Sequence, residues 1–332
     1  MIKLSLEDVR QLATETLIGA GASSQNASAV ADSTVLAERD GIRSHGLLYV
    51  PIYAEHVKCG KVDGTAVPVV EKVKSGSIRV DAKTGFAHPA IDAGFDAFIA
   101  ATKENGVAAL TTRNSYNCGV LGHHAERIAE QGLVGLCFTH APASIAPTGG
   151  KTPVIGTNPF ALAVPDTDNG AALVIDQSAS TIAKSEILLR ASKDETIEDN
   201  WALDSEGNPT TDAKAALKGS MLPSGGQKGF GVGLLVEIMA SCLAGALLSR
   251  DAAPFSGTVG GPPKTGQCFL AFDTSAFSGE LFVERISALT QAIEEQAGAR
   301  LPGSRRKNNR QAIEKDGVIV DPTLLERIKK SG

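Results

Sequence analysis

From Ile78 onward the chain alternates short apolar runs with longer stretches of helical periodicity, and this alternation restricts its architecture more than any other feature. Phe86 to Asn105 has a helical pattern and is followed by the buried-strand run Gly106 to Thr112. A helix over Leu121 to Gln131 leads into a strand over Leu133 to Thr139, and Phe160 to Val164 and Ala172 to Ile175 read as two more strands. Strands interleaved with helices argue for an α/β core. The pattern leaves the order and sense of the strands open.

The flanking regions have a different texture. Ser5 caps a segment in which Leu6, Val9, Leu12, Ala13 and Leu17 recur at helical spacing until Gly19 and Gly21. A second helix is expected over Ser24 to Arg39 and a short third over Val50 to Val57, ending at Gly60. Farther on, Lys228 to Leu248 reads as one long apolar helix with Gly229, Gly231, Gly233 and Gly245 along it. Asp251 to Gly266 is a Gly/Pro-rich loop, Cys268 to Phe272 a strand and Phe282 to Ala297 a helix. Asp321-Pro322 supplies a cap and first turn for a last helix over Leu324 to Lys330. With no repeat and no low-complexity linker, two interleaved units are expected. One is a helical lobe over 1–75 completed by 285–332; the other is an α/β cofactor-binding domain over 76–284.

Composition narrows the function classes. A net charge of −5 without a basic run gives no electrostatic footprint for nucleic acid. No apolar run approaches the roughly 18 residues of a membrane span, and Met1 to Ser5 enters a helical pattern without an apolar signal segment. The five cysteines, Cys59, Cys118, Cys137, Cys242 and Cys268, are odd in number, scattered and free of CxxC spacing, as suits a reducing cytoplasm.

Most chemical motifs fail. No strand is followed by GxGxxG, and Gly229-Phe230-Gly231-Val232-Gly233 follows a loop and lacks the third glycine offset. Gly150-Lys151-Thr152 imitates the end of a phosphate loop, but Ile145 stands where its first glycine belongs. His123 and His124 are adjacent on a helix, diverge by roughly 100° and share no face for one metal. Neither HExxH nor GxSxG occurs, so a metal-dependent hydrolase and a serine hydrolase lack their machinery. What remains is Arg43-Ser44-His45-Gly46, an imidazole beside a hydroxyl at a turn, suited to proton transfer. Alongside it stand polar turns at the ends of expected strands: 114–119, 149–150, 156–159 and 176–180. By itself a lone histidine is as readily structural as catalytic, and a Gly-Thr-Asn-Pro turn can be no more than a turn.

Eight segments in order change that balance: RSHGLLYVPIY, NSYNCG, GLVGLCFTHA, APTGGKTPVIGTNPFALAVP, DQSAS, WALDSEGNPTTD, LPSGGQKGFGVGLLVEIMA and LPGSRR. Running from Arg43 to Arg306, they resemble the malate/L-lactate dehydrogenase family that lacks a Rossmann fold, which also includes sulfolactate and ureidoglycolate dehydrogenases and piperideine/pyrroline-2-carboxylate reductases. The resemblance implies a fold peculiar to that family, with a mixed central sheet and a helical N-terminal lobe. It also implies a homodimer and reversible hydride transfer between NADH or NADPH and the 2-position of a small acid. By this resemblance His45 is the catalytic histidine, Asp176 the acid held against it and Ser44 the adjacent hydroxyl. A carboxylate beside the ring would orient it and keep it charged near neutrality. Gly156, Asn158, Ser178, Ser180, Lys228, Gly229 and Arg305 are the cofactor candidates, offering turn N–H groups, hydroxyls and positive charge at a helix start. Tyr49, Asn117 and Thr157 are the substrate candidates.

The chain departs from the family pattern where substrate choice is made. Tyr49 stands where an arginine commonly grips a substrate carboxylate, and a phenol does not replace a bidentate guanidinium. Asn117 stands where many members carry a histidine, and Ser185-Glu186 replaces the usual Gly-Lys. These changes disfavour a dicarboxylate such as malate. They favour a compact cyclic 2-imino acid, Δ1-pyrroline- or Δ1-piperideine-2-carboxylate, over a 2-hydroxy acid of malate, lactate, ureidoglycolate or sulfolactate type. The rival class, a non-catalytic binding protein, would have no use for Ser44, His45 and Asp176 together.

Overall fold

The computed structural model describes residues 1–166 and 170–332. The chain opens with strand β1 (Ile2–Leu4) and helices α1 (Leu6–Gly19) and α2 (Ser24–Arg39). Ser5 caps α1 as its sequence predicts: its hydroxyl accepts from Asp8 N–H at 3.0 Å, and Asp8 accepts from Ser5 N–H at 2.8 Å. Two single 3-10 turns, Arg43–His45 and Leu47–Tyr49, then lead into α3 (Val50–Lys58). At the other end of the chain lie α9 (Glu280–Glu294), α10 (Ser304–Asp316), β11 (Val318–Val320) and α11 (Pro322–Ser331). β1 pairs antiparallel with β11. Val9, Ala13, Val35 and Leu47 share one apolar centre with Val318, Val320 and Ile328, so the first and last segments close around each other.

Between them lies a seven-stranded sheet. Its strands are β2 (Val69–Lys74), β3 (Ser77–Asp81), β4 (Val107–Ser115), β5 (Val134–Thr139), β6 (Phe160–Pro165), β7 (Ala171–Gln177) and β10 (Thr265–Phe272), in the order β2-β3-β4-β10-β5-β6-β7. Only β3 and β4 run parallel; the other neighbours are antiparallel, which makes the sheet mixed. Helices α4 (Ala87–Asn105) and α5 (Leu121–Ala129) pack Ile91, Phe95, Phe98 and Ile128 against Leu110 and Phe269. The opposite face of β5 and β10 is covered at Phe138 and Cys268 by Val236 and Ala240, from the helix α8 (Gln227–Glu237) and the turn that continues it. A strand covered on both faces reads as an unbroken apolar run, as Cys268 to Phe272 of β10 does.

A third apolar centre gathers around Trp201, with Ile145, Ile155, Ile187 and Met221. Its elements are α6 (Lys184–Ser192), β8 (Ala202–Leu203), α7 (Ala213–Ala216) and β9 (Ser220–Met221), none of which the sequence pattern announced. The long helix expected over Lys228 to Leu248 is shorter than that. It passes into a π-helical turn over Ile238–Leu243 and stops before Gly245, whose φ of 72° is left-handed.

α10 has no fully buried residue; Ile313 packs against the terminal apolar centre, and charge supplies its other anchor. The Arg310 guanidinium donates to both carboxylate oxygens of Asp40 and to both of Glu126, each at 3.0 Å. Asp40 is fully buried at the end of α2, and this partnership, with His123, holds its carboxyl well below the usual carboxylate range despite burial. Arg310→Met leaves two carboxylates short of their partner, and we expect a loss of about 3 kcal/mol of unfolding free energy with an unchanged denaturant slope. Chemical denaturation measures it; a loss below about 1 kcal/mol would mean that α10 is held by other contacts.

Candidate active site

The turn that carries His45 is shaped by a buried acid. Glu38, the penultimate residue of α2, accepts from Leu47 N–H at 2.7 Å. A Cβ on Gly46 would lie 2.1 Å from Glu38 Oε1, so a larger residue there would have to displace the Glu38 carboxylate from Leu47 N–H. Burial raises the Glu38 pKa. The resulting kink leaves His45 half-buried, with Ser44 Oγ 3.0 Å from its Nδ1.

Asp176, near the end of β7, is held from two sides. Gly122 N–H, in the first turn of α5, donates to its Oδ2 at 3.0 Å, and Arg306 Nη2 donates to the same oxygen. A Cβ on Gly122 would come within 2.7 Å of that oxygen and 2.3 Å of Arg306 Nη1, so this glycine too is set by close approach. The helix N-terminus adds its favourable dipole to the carboxylate. Asp176 acts on His45 electrostatically, as the family resemblance implies, but does not keep the ring charged. Burial lowers the His45 pKa; Asp176 raises it, and nearby His123 and Arg306 lower it, with a net fall below 6.5. The expectation of an imidazolium sustained near neutrality is therefore corrected. The physical reason is burial, which outweighs the Asp176 charge, with smaller contributions from His123 and Arg306.

Tyr49 and Asn117 meet, and the Tyr49 hydroxyl lies against both the Asn117 amide and the Tyr116 phenol. Asn117 is held in turn, its Oδ1 accepting from Gly119 N–H at 2.7 Å. Tyr49 packs on Tyr53 with ring centres 4.7 Å apart, and Tyr116 packs on Tyr53 at 6.0 Å and Phe255 at 5.4 Å. These side chains form an aromatic wall without a charged group.

The cofactor candidates fall into two neighbourhoods. Residues 156–158, 178–180 and 224–229 come together through Ala179 N–H to Thr157 O and Ser224 N–H to Ala179 O, both 2.8 Å. Ser178 and Ser180 hydroxyls are 2.9 Å apart, and Ser180 also donates to Ile182 O at 2.7 Å. Lys228 is exposed in the first turn of α8. Gly229 and Gly156 serve close packing: added Cβ atoms would stand 1.8 Å from Ser224 O and 2.1 Å from Ala141 O. Asn158 is fully buried at φ 39°, its amide donating to Gly233 O and Glu237 Oε2. Its side chain is thus spent inside the protein, where it braces the turn whose backbone is the cofactor candidate. Thr157 is half-buried beside it. Arg305 lies elsewhere, exposed in a cleft of about 810 Å³ that Ser44, Asp176, Arg43, Arg300 and Arg306 also line.

Residue-by-residue reading missed Arg306, Gly122 and His123. Arg306 stood in the recognised LPGSRR segment, one position from the arginine chosen. His123 donates or accepts at Nε2 with Asp40 Oδ2 at 3.0 Å, a partner 83 residues away with no local signal.

Comparison with known proteins follows from this geometry. The family profile described as malate/L-lactate dehydrogenase matches residues 4–329. The chain is 40% identical over 322 residues to a (2R)-3-sulfolactate dehydrogenase (NADP(+)) of Chromohalobacter salexigens, with 96% of each chain covered. It is 37% identical over 334 residues to a Δ1-pyrroline-2-carboxylate reductase of Ancylobacter novellus, covering 100% of this chain and 98% of that one. The crystal structure of Δ1-piperideine-2-carboxylate reductase from Pseudomonas syringae pvar. tomato superposes with a TM-score of 0.94 at 32% identity over the full length of both chains.

The electrostatics of His45 yield a test that needs no substrate. Arg306→Gln removes a positive neighbour and frees Asp176, so the His45 pKa should rise; Asp176→Asn should lower it further. An NMR titration of the ring, assigned with His45→Gln, reads both shifts. Movement of the two variants in the same direction would contradict this account of the site.

Proposed function

Because the chain belongs to the malate/L-lactate dehydrogenase family and is an NAD(P)-dependent oxidoreductase, we propose that it reduces a small cyclic 2-imino acid. The product of Δ1-pyrroline-2-carboxylate would be proline, and that of Δ1-piperideine-2-carboxylate pipecolate. The observation that carries the reading is the uncharged wall of Tyr49, Tyr53, Tyr116 and Phe255 with Asn117 beside it. Such a wall suits a compact, largely apolar ring, and the free N–H of the Asn117 amide suits its single carboxylate. A second copy of the chain is proposed to complete a homodimer that works in the cytoplasm. The exposed Leu234, Leu235, Ile238 and Leu243 support a covered face there, and five free cysteines suit the compartment.

The chemistry of the donor set fits a nicotinamide dinucleotide. Hydroxyls of Ser178 and Thr157 and the glycine turn Gly225-Gly226, with φ of 74° and 64°, stand ahead of the α8 N-terminus and Lys228. When bound, NADH or NADPH supplies the hydride. His45 stands beside the reacting position as the proton-handling group, Ser44 fixes its Nδ1, and Asp176 orients the ring. A ketone needs a proton on its oxygen as hydride arrives, whereas an iminium already carries its proton on nitrogen. His45 is therefore required for the first substrate and of lesser account for the second.

One observation favours a second reading, a 2-hydroxy acid dehydrogenase of sulfolactate type. Arg43, Arg300, Arg305 and Arg306 line one cleft with Asp176 and could receive a second anionic group. Purified protein assayed with NADPH and NADH decides between them. Cyclic imines should be reduced at least about a hundredfold more efficiently in kcat/KM than 3-sulfopyruvate, pyruvate or oxaloacetate, a gap of about 2.7 kcal/mol in transition-state binding. A ratio reversed in favour of 3-sulfopyruvate overturns the imine reading. His45→Ala should slow any residual 2-oxo acid reduction by about 10² to 10⁴ and imine reduction by less than about tenfold. Equal losses on both substrates would sink the argument from the iminium proton.

A further inference from the structure

The segment from residue 253 to 263 makes no backbone–backbone hydrogen bond with any described residue. Among the described residues, every hydrogen bond to it comes from two side chains, Lys61 and His56. Lys61 follows α3 and is 0% exposed. Its Nζ donates to Pro254 O at 2.6 Å, Ser256 O at 3.1 Å and Gly257 O at 2.9 Å. Three donors thus meet three carbonyls, about 195 residues away in sequence. An ammonium removed from water costs free energy unless every donor is matched. Lysine and loop therefore hold each other in place.

The second anchor gives this contact a direction. Gly257 O also lies 3.0 Å from His56 Nε2. A carbonyl only accepts, so Nε2 carries the proton; burial and the Lys61 charge both favour the neutral ring. His56 Nδ1 is then an acceptor, and the partner it meets is the Tyr116 hydroxyl. Tyr116 donates to His56, and its hydroxyl also lies against that of Tyr49. On its other side Tyr116 packs against Phe255, the residue between two of the carbonyls Lys61 holds.

We propose that Lys61 is a positioning residue for substrate recognition: by gathering the carbonyls of Pro254, Ser256 and Gly257 it fixes Phe255 and Tyr116 as the rigid back of the wall formed by Tyr49 and Asn117. The substrate named here rests on the cyclic-imine reading; the anchoring itself does not. Rigidity behind a binding wall sharpens the fit of a small ring without touching the reacting atoms. Loss of the anchor acts on binding and leaves the hydride and proton steps in place.

Lys61→Met keeps the length of the stem and removes all three donors. In the full chain it should raise KM for Δ1-pyrroline-2-carboxylate at least tenfold, change kcat less than threefold and leave NADPH affinity, read by nicotinamide fluorescence, unchanged. Whatever preference the wild type shows between five- and six-membered rings should shrink toward unity, and limited proteolysis should cut the variant within 253–263 faster. Phe255→Ala leaves the buried donors alone and should reproduce the KM shift, which decides the matter if Lys61→Met does not fold. Wild-type KM and ring preference in both variants, or a loss carried by kcat, would overturn the proposal. If the wild type reduces only 2-oxo acids, the imine reading fails, and the same split of KM against kcat on that 2-oxo acid judges Lys61.

Discussion

Two arginines one turn apart on α10, Arg306 and Arg310, tie the two parts of the molecule together around His45. Arg306 reaches Asp176 on the edge strand β7; Arg310 reaches Asp40 at the end of α2 and Glu126 on α5. Residues four apart share a helix face, so one polar helix grips the sheet and the helical lobe at once. His45 lies five residues after Asp40 and feels the charge of Asp176 and Arg306. The position and protonation of the candidate catalytic ring both depend on that clasp. Apolar packing of Tyr53 on Phe86 and Tyr116 also joins the two parts, and the paired charges fix their relation at the His45 end.

What was legible in the sequence follows this division. Elements that bury an apolar face are visible in one chain, so α1, α4, β4, β5, β6 and β10 emerge from periodicity. α10 does not, because its partners are carboxylates distant in sequence and none of its residues is buried. β2 has six exposed residues and lacks the alternation that would mark it. The pairing of His45 with Asp176, 131 residues apart, came only from the family resemblance. Lys61 reads as a solvated charge in Gly-Lys-Val-Asp-Gly, and nothing near it tells of carbonyls almost two hundred residues on. The buried cross-link made by the Asn158 side chain was hidden for the same reason, since a polar turn residue gives no sign of its distant partners.

Asn158 belongs to a hydrogen-bonded string whose direction is fixed by backbone. Gly266 N–H donates to His140 Nε2 at 3.0 Å, so the other ring nitrogen carries the proton and donates to Ser249 Oγ. Ser249 donates through its hydroxyl to Glu237, and Glu237 accepts the Asn158 amide at 2.8 Å. Burial pushes His140 down to about 4 even beside that carboxylate, which keeps the ring neutral and the direction single. The string joins β10, the end of α8 and the 156–158 turn. It holds that turn from beneath, as Lys61 and His56 hold the aromatic wall. Both supports consist of buried polar groups with complete partners, the arrangement that makes a site rigid.

The resting protonation of His45 bears on which substrate suits this framework. Burial lowers the His45 pKa and so disfavours the imidazolium on which ketone reduction would draw. The Asp176 charge opposes that effect only in part, and its Oδ2 is already engaged by Arg306 and by Gly122 N–H, at a glycine where a side chain would crowd both partners. A substrate that arrives as an iminium relaxes this demand, because hydride addition then yields a neutral amine without a proton from the protein. The same neutral ring remains available to accept a proton in the reverse, oxidative direction. The uncharged wall at Tyr49 and the lowered pKa of His45 thus favour the same kind of substrate, one that brings its own proton to the reacting end.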